Sequence, residues 1–274
     1  MLKIAIDGAV LLKPLTGVGY YWSGILERLV DKLADDEKLL IYTFYWKNYQ
    51  NRAIELKKKF GNLIVEKRFP ERYIEFISKF YDISKILDNP DIIHYTSLKF
   101  PVIKNRKIYT IYDISFLENE IFHLAKVRKK HIMALKKIIN DSASEIITIS
   151  NFTKRQLIEK LQILEKRINV IYPVLNADVK INNYQETELN ALLKKYNIRR
   201  PFILYNGTIE PRKNIVKMIE AYKTTKAYQN KTQLIITGKY GWCCDEIFSA
   251  LSEYDKSLII FTGYIEREEL INLY

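Results

Sequence analysis

The chain returns repeatedly to one pattern: a short run rich in Ile, Val and Leu, with little apolar-polar alternation, followed by an amphipathic helical stretch. Such runs fall at residues 3–7, 39–45, 63–66, 92–95, 108–112, 145–149 and 170–172, and again at 202–205, 234–237 and 258–262. Strands that are apolar on both faces suit a parallel sheet covered by helices on each side, and regular strand-helix alternation supplies the crossovers that parallel pairing requires. The predicted class is therefore α/β with two doubly wound domains. Pro173 closes the first set and a polar stretch follows, so the expected division is a first domain at 1–175, a linker and helix at 176–200, and a second domain at 201–274. The last helical pattern, 266–274, stops while still periodic after only three strands. The second domain is accordingly expected to be incomplete.

Composition narrows the function classes. With 48% apolar residues the chain can build a real core. Its only two cysteines, Cys243 and Cys244, are adjacent, which excludes a disulfide framework, and His94, His123 and His131 show no ligand spacing. No metal is expected. No run approaches the length of a membrane-spanning helix, and Asp7 interrupts the first apolar run too early for a signal peptide, so a cytoplasmic location is expected. A formal net charge of +12 implies an anionic partner. Lys126, Arg128, Lys129, Lys130, Lys136 and Lys137 decorate one predicted helix opposite Ile132, Leu135, Ile138 and Ile139. This is either a solvated face or a surface for anionic lipid. The basic residues are otherwise scattered without a nucleic-acid-binding module, so nucleic acid is not the expected partner.

The most chemically loaded segment is Tyr205-Asn206-Gly207-Thr208-Ile209-Glu210-Pro211-Arg212-Lys213-Asn214. It places two cations where a strand hands over to a helix that Asn214 is expected to cap, a setting for a phosphate or diphosphate. Taken alone, an Arg-Lys pair is more readily explained as solvated first-turn residues of an ordinary helix. In Thr16-Gly17-Val18-Gly19-Tyr20 the glycines let a backbone approach a ligand, although the spacing is not that of a dinucleotide fingerprint and a plain turn fits as well. Thr110-Ile111-Tyr112-Asp113-Ile114-Ser115-Phe116 puts Asp113 just beyond a strand, where open α/β sheets bind ligands or where an acid caps the next helix. His94 ends the preceding strand, either facing that crevice or satisfied in the core. In Thr148-Ile149-Ser150-Asn151-Phe152-Thr153-Lys154-Arg155, Ser150 or Asn151 caps a helix whose first turn carries Lys154 and Arg155, against the dipole. That placement suggests a nearby anion or a surface pair.

Together these segments, with Gly238-Lys239-Tyr240-Gly241-Trp242 and Phe261-Thr262-Gly263-Tyr264, resemble the retaining glycosyltransferases of family 4 in motif and order. The resemblance spans essentially the whole chain, and Glu210-Pro211-Arg212-Lys213-Asn214 is its most specific part. It implies the GT-B fold, two Rossmann-like domains facing across a cleft, and transfer of a sugar from a nucleotide-diphosphate donor to a glycan or lipid-linked acceptor in polysaccharide or lipopolysaccharide assembly. By the same resemblance Arg212 and Lys213 bind the diphosphate and act on the leaving group. Gly17, Gly19, Gly207 and Glu210 belong to the donor side, and Asp113, Tyr112 and His94 to the acceptor side, Asp113 and Tyr112 with catalytic roles. No cofactor or metal is implied. Two departures stand out: Tyr112 occupies a place where the family often has histidine, and the family's paired glutamates would lie beyond residue 274. A truncated, inactive relative or half of a split enzyme is the alternative expectation.

Overall fold

The computed structural model describes residues 1–13, 15–45, 49–98, 103–118, 124–174, 186–251 and 255–274. His123 and most of the polar stretch after Pro173 lie outside them. The strands are β1 (Leu2–Asp7), β2 (Glu37–Phe44), β3 (Ile64–Lys67), β4 (Ile92–Tyr95), β5 (Arg106–Ile111), β6 (Glu145–Thr148), β7 (Ile168–Val170), β8 (Phe202–Asn206), β9 (Gln233–Thr237) and β10 (Ile259–Gly263). The helices are α1 (Ala9–Leu12), α2 (Gly17–Val30), α3 (Gln50–Phe60), α4 (Glu71–Ile77), α5 (Ser115–Glu118), α6 (Ala125–Asn140), α7 (Asn151–Leu161), α8 (Glu186–Lys195), α9 (Ile215–Lys223), α10 (Lys226–Gln229), α11 (Cys244–Ala250) and α12 (Arg267–Leu273). No helix among the described residues is long and apolar enough to cross a membrane. The chain divides into two compact units, Met1–Ala177 and Asp178–Tyr274.

In the first unit seven parallel strands run in the order β3-β2-β1-β4-β5-β6-β7. The order reverses direction between β1 and β4, which makes the carboxyl ends of those strands a topological switch point. Each face of the sheet has its own core. On one face Leu11, Trp22 and Leu26 of α1 and α2, with Ala53 and Leu56 of α3, pack on Ile6, Leu39 and Ile41. On the other, Ile74 of α4, Leu135 and Ile138 of α6 and Leu157 of α7 pack on Tyr42, Ile93, Tyr95, Ile111 and Ile146. The doubled apolar demand of a covered sheet explains why these strands lack alternation.

Arg167, just before β7, is buried in this second core layer. Its guanidinium donates to the carbonyls of Ile138, Asp141 and Ser144 at 3.1, 2.7 and 2.9 Å, and to Ser144 Oγ at 2.9 Å. It thereby satisfies the orphan carbonyls at the end of α6 with a cation, the charge that a helix carboxyl end favours.

The second unit has a three-stranded parallel sheet in the order β10-β9-β8. α9 and α11 cover one face through Ile215, Ile219, Tyr222, Ile247 and Leu251, while α8 and α12 cover the other through Leu189, Leu192, Leu193 and Leu273. β9, the central strand, is buried along its whole length.

Candidate functional site

In the first unit the carboxyl ends of the strands are tied by a chain of hydrogen bonds. Trp22 Nε1 donates to the Tyr112 hydroxyl at 2.7 Å, and that hydroxyl donates to the Thr96 carbonyl at 2.6 Å. Thr96 Oγ1 in turn donates to the Asp7 carbonyl at 2.9 Å, and Thr153 Oγ1 to the Tyr112 carbonyl at 3.0 Å. The ends of β1, β4, β5, α2 and α7 are thus held by one tyrosine and its neighbours. Burial pushes the Tyr112 phenol well above its ordinary range. The Tyr112 proton is thus committed to a backbone carbonyl, in a hydrogen bond that ties two strand ends.

Asp113, next in the chain, is exposed, and its Oδ1 accepts from the backbone N–H and hydroxyl of Ser115 at 3.1 and 2.8 Å. It therefore caps α5 while presenting a carboxylate to solvent.

His94 is placed differently from the acceptor-side expectation. It is 7% exposed, shares a 2.9 Å hydrogen bond with Thr110 Oγ1, and packs edge-on against Trp22 with ring centroids 4.7 Å apart. Burial pushes its pKa down to about 3, so the ring is neutral in the fold. The unfolded chain takes up this proton near its ordinary pKa of about 6.5. His94 consequently contributes stability that is full above about pH 6.5 and is lost as pH falls towards 3, by up to about 1.4 kcal/mol per pH unit. Urea midpoints measured from pH 7 to pH 4.5 should show this slope, and His94→Gln should flatten it; equal slopes would reject the assignment.

Gly17 and Gly19 open α2 but serve different ends. A Cβ on Gly17 would meet open space, whereas one on Gly19 would lie 2.7 Å from Leu15 Cδ2 and 3.2 Å from the Val10 carbonyl. Gly19 is closely packed, and Gly17 leaves an approach to the backbone free. At the start of α7, Ser150 accepts from the Thr153 N–H at 3.1 Å, and Lys154 is paired with Glu165 at 2.9 Å. The anion near Lys154 is thus the protein's own carboxylate.

The second unit gathers Gly207, Glu210, Arg212 and Lys213 into one loop at the carboxyl end of β8. This loop is locked onto the one after β9: Gly207 N–H donates to the Thr237 carbonyl, Ile209 N–H to that of Lys239 and Gly241 N–H to that of Ile209, each at 2.9 Å. Gly238 lies where the two loops cross. Its φ is +144°, and a Cβ there would fall 1.9 Å from the Gly207 carbonyl oxygen. The sequence motif alone does not disclose this crossing, although a glycine directly after a buried strand is its signature.

Arg212 and Lys213 form a single 3-10 turn, Pro211–Lys213, ahead of α9 and not within its first turn. Asn214 occupies the capping position with left-handed backbone (φ 53°) and makes no side-chain capping bond, contrary to expectation. The N-terminal amides of α9 therefore receive no acceptor from their cap residue. Arg212 donates from Nη2 and Nε to Glu210 Oε1 at 2.7 and 3.1 Å, so Glu210 orients the guanidinium. Lys213 is exposed and has no ion pair among the described residues. The loop brings two cations to a helix start, one of them, Arg212, held by Glu210. Among the described residues no group of three or more His, Cys, Asp or Glu side chains converges.

No protein-family model matches the chain. Over 287 aligned residues it is 25% identical to the O-antigen chain mannosyltransferase B of Escherichia coli, covering 100% of this chain and 74% of that protein. Over 138 residues it is 30% identical to the serotype-specific mannosyltransferase WbdA of Escherichia coli, covering 49% of this chain and 17% of that much longer protein. Among solved structures it is similar to WaaG, a glycosyltransferase involved in lipopolysaccharide biosynthesis, with a TM-score of 0.68 at 13% identity, over 98% of this chain and 72% of that one. The likeness in structure shows the fold: the two parallel α/β units are those of the GT-B class.

Proposed function

We propose that the chain is a glycosyltransferase that moves a sugar from a nucleotide-diphosphate donor to a glycan or lipid-linked acceptor in polysaccharide or lipopolysaccharide assembly. The observation that carries this reading is the β8–α9 loop, where Arg212 and Lys213 stand beside a helix start whose cap residue supplies no side-chain acceptor. A diphosphate fits that arrangement, because its oxygens can accept from both cations and from amides at the helix start. As the sugar departs, negative charge grows on the diphosphate, and fixed positive groups stabilise it without a metal. Transfer with retention and without a protein nucleophile is part of the same proposal, as is an acceptor-side role for the exposed Asp113. Two relatives named for mannosyl transfer make a mannosyl donor the first to test.

The test is calorimetry of nucleoside diphosphate binding with a chelator present. Arg212→Ala with Lys213→Ala should cost about 1.5–3 kcal/mol, the range for hydrogen bonds to charged groups. Unchanged affinity in a double variant whose parent binds would sink the assignment. Loss of all binding on chelation would instead restore a metal to the site.

A further inference from the structure

Three strands that lie side by side in the first sheet, β5, β6 and β7, each lead at their carboxyl ends to an exposed side chain: Asp113, Phe152 and Tyr172. The proposed chemistry uses Asp113 and neither ring. Phe152 is 65% exposed in the first turn of α7, Tyr172 is 55% exposed just past β7, and neither makes an aromatic contact among the described residues. Their backbones are nonetheless held in place. Thr153 Oγ1, next to Phe152, donates to the carbonyl of Tyr112, next to Asp113, at 3.0 Å, and Ser150 Oγ accepts from the Thr153 N–H at 3.1 Å. The Ile171 N–H donates to the Thr148 carbonyl at 2.8 Å and the Tyr21 hydroxyl to the Ile171 carbonyl at 3.0 Å, which fixes the residue before Tyr172.

Single exposed rings are ordinary on a protein surface. These two stand at the carboxyl rim of an open α/β sheet, where such sheets bind ligands, and alanine would suit the first turn of α7 better than a phenyl that faces solvent. Adjacent strands lie about 4.8 Å apart, so the three strand ends span about 10 Å, room for a disaccharide. A pyranose has the matching chemistry. Its C–H bonds gather on a face that lies against an aromatic ring, while its hydroxyls point outward from the edge, where a carboxylate accepts from them. A lipid chain has no use for Asp113, and a phosphate is repelled by it. We propose that Phe152 and Tyr172 form an aromatic platform for a terminal sugar ring of the acceptor, whose hydroxyls donate to Asp113. This rests on the glycosyltransferase reading and narrows its acceptor to one that ends in a saccharide.

Saturation-transfer NMR on the intact chain reads this contact without turnover, with the methyl α-pyranosides of mannose, glucose and galactose and with glycerol 3-phosphate as probes. At least one pyranoside should receive saturation, strongest at the ring C–H protons of one face. Phe152→Ala should lower that transfer at least about fivefold, and Phe152→Tyr should retain it. Adding Tyr172→Ala should lower it further. Melting curves should match wild type, because both side chains are exposed. Guanosine diphosphate affinity should be the same in Phe152→Ala as in wild type, since Arg212 and Lys213 belong to the other unit. No transfer to any pyranoside, equal transfer in Phe152→Ala, or transfer to glycerol 3-phosphate alone overturns the platform. Transfer that depends on Phe152, in a chain whose diphosphate affinity ignores Arg212 and Lys213, would keep the saccharide site and sink the donor loop; the reverse pattern would sink the platform alone.

Discussion

Replacing Arg167 by alanine should lower the free energy of unfolding by about 2–5 kcal/mol, since each buried acceptor left without a donor costs about 1–3 kcal/mol and two backbone carbonyls lose theirs together. These are the carbonyls of Ile138 and Ser144, at and just past the end of α6, whereas the Asp141 carbonyl keeps the Ser144 N–H at 3.0 Å and the Ser144 hydroxyl at 2.8 Å. The loss is a large share of the roughly 5–15 kcal/mol that holds a typical domain together. Arg167→Lys should recover only part of it, because an ammonium cannot reach the same carbonyls with the fixed fork of a guanidinium. The Lys107–Asp141 pair at 3.0 Å ties the same turn from β5 and limits the damage locally. Urea unfolding followed by circular dichroism is the measurement. A midpoint within error of wild type would show that these carbonyls find other partners.

The second large effect is expected at Gly238. An alanine there must place a Cβ where the Gly207 carbonyl already stands, 1.9 Å away, at a φ of +144° that side chains rarely adopt. Backbone strain of about 1–3 kcal/mol and overpacking of about 1–3 kcal/mol act together, so the second unit should lose on the order of 3–5 kcal/mol. Gly263→Ala provides the control. Its φ is +74°, but its Cβ would meet nothing within 4 Å, so only the backbone part remains. Diphosphate affinity should fall for Gly238→Ala, because the displaced β8 loop carries Arg212 and Lys213, and should persist for Gly263→Ala. Equal behaviour of the two variants would mean that the crossing yields without cost.

The ten strands were legible because a covered parallel sheet needs uninterrupted apolar runs, and none of the proposed runs proved to be helix. Boundaries moved by a residue or two, as with β5, which ends at Ile111 and leaves Tyr112 in the following loop. The order of the loop after β8 was legible locally: strand, glycine, Arg-Lys, helix. Its internal pairing was not, because nothing in the spacing says whether Arg212 turns towards Glu210 or away. The contacts of Tyr112 and His94 were not legible for a related reason. Their surroundings are set by Trp22, a residue ninety positions from Tyr112 in the chain, and no local pattern announces that contact. For Lys154 the sequence left a nearby anion and a surface pair both open, and Glu165, just past the end of α7, supplies its partner.

The reversal of strand order in the first sheet also bears on how the chain is made. Most strand pairs join neighbours in sequence, such as Leu2 with Glu37 or Ile108 with Glu145, but Ile4 pairs with Ile92. The backbone of Lys3 bonds to Asp91 across 88 positions. During synthesis, β1, β2 and β3 can therefore assemble early while the inner edge of β1 waits, unpaired and apolar on both faces, for β4 to leave the ribosome. An exposed central edge is the surface on which nascent chains pair wrongly with one another. Translation pace across residues 68–92, and chaperone occupancy during that interval, should accordingly govern the soluble yield more than any later segment of the first unit.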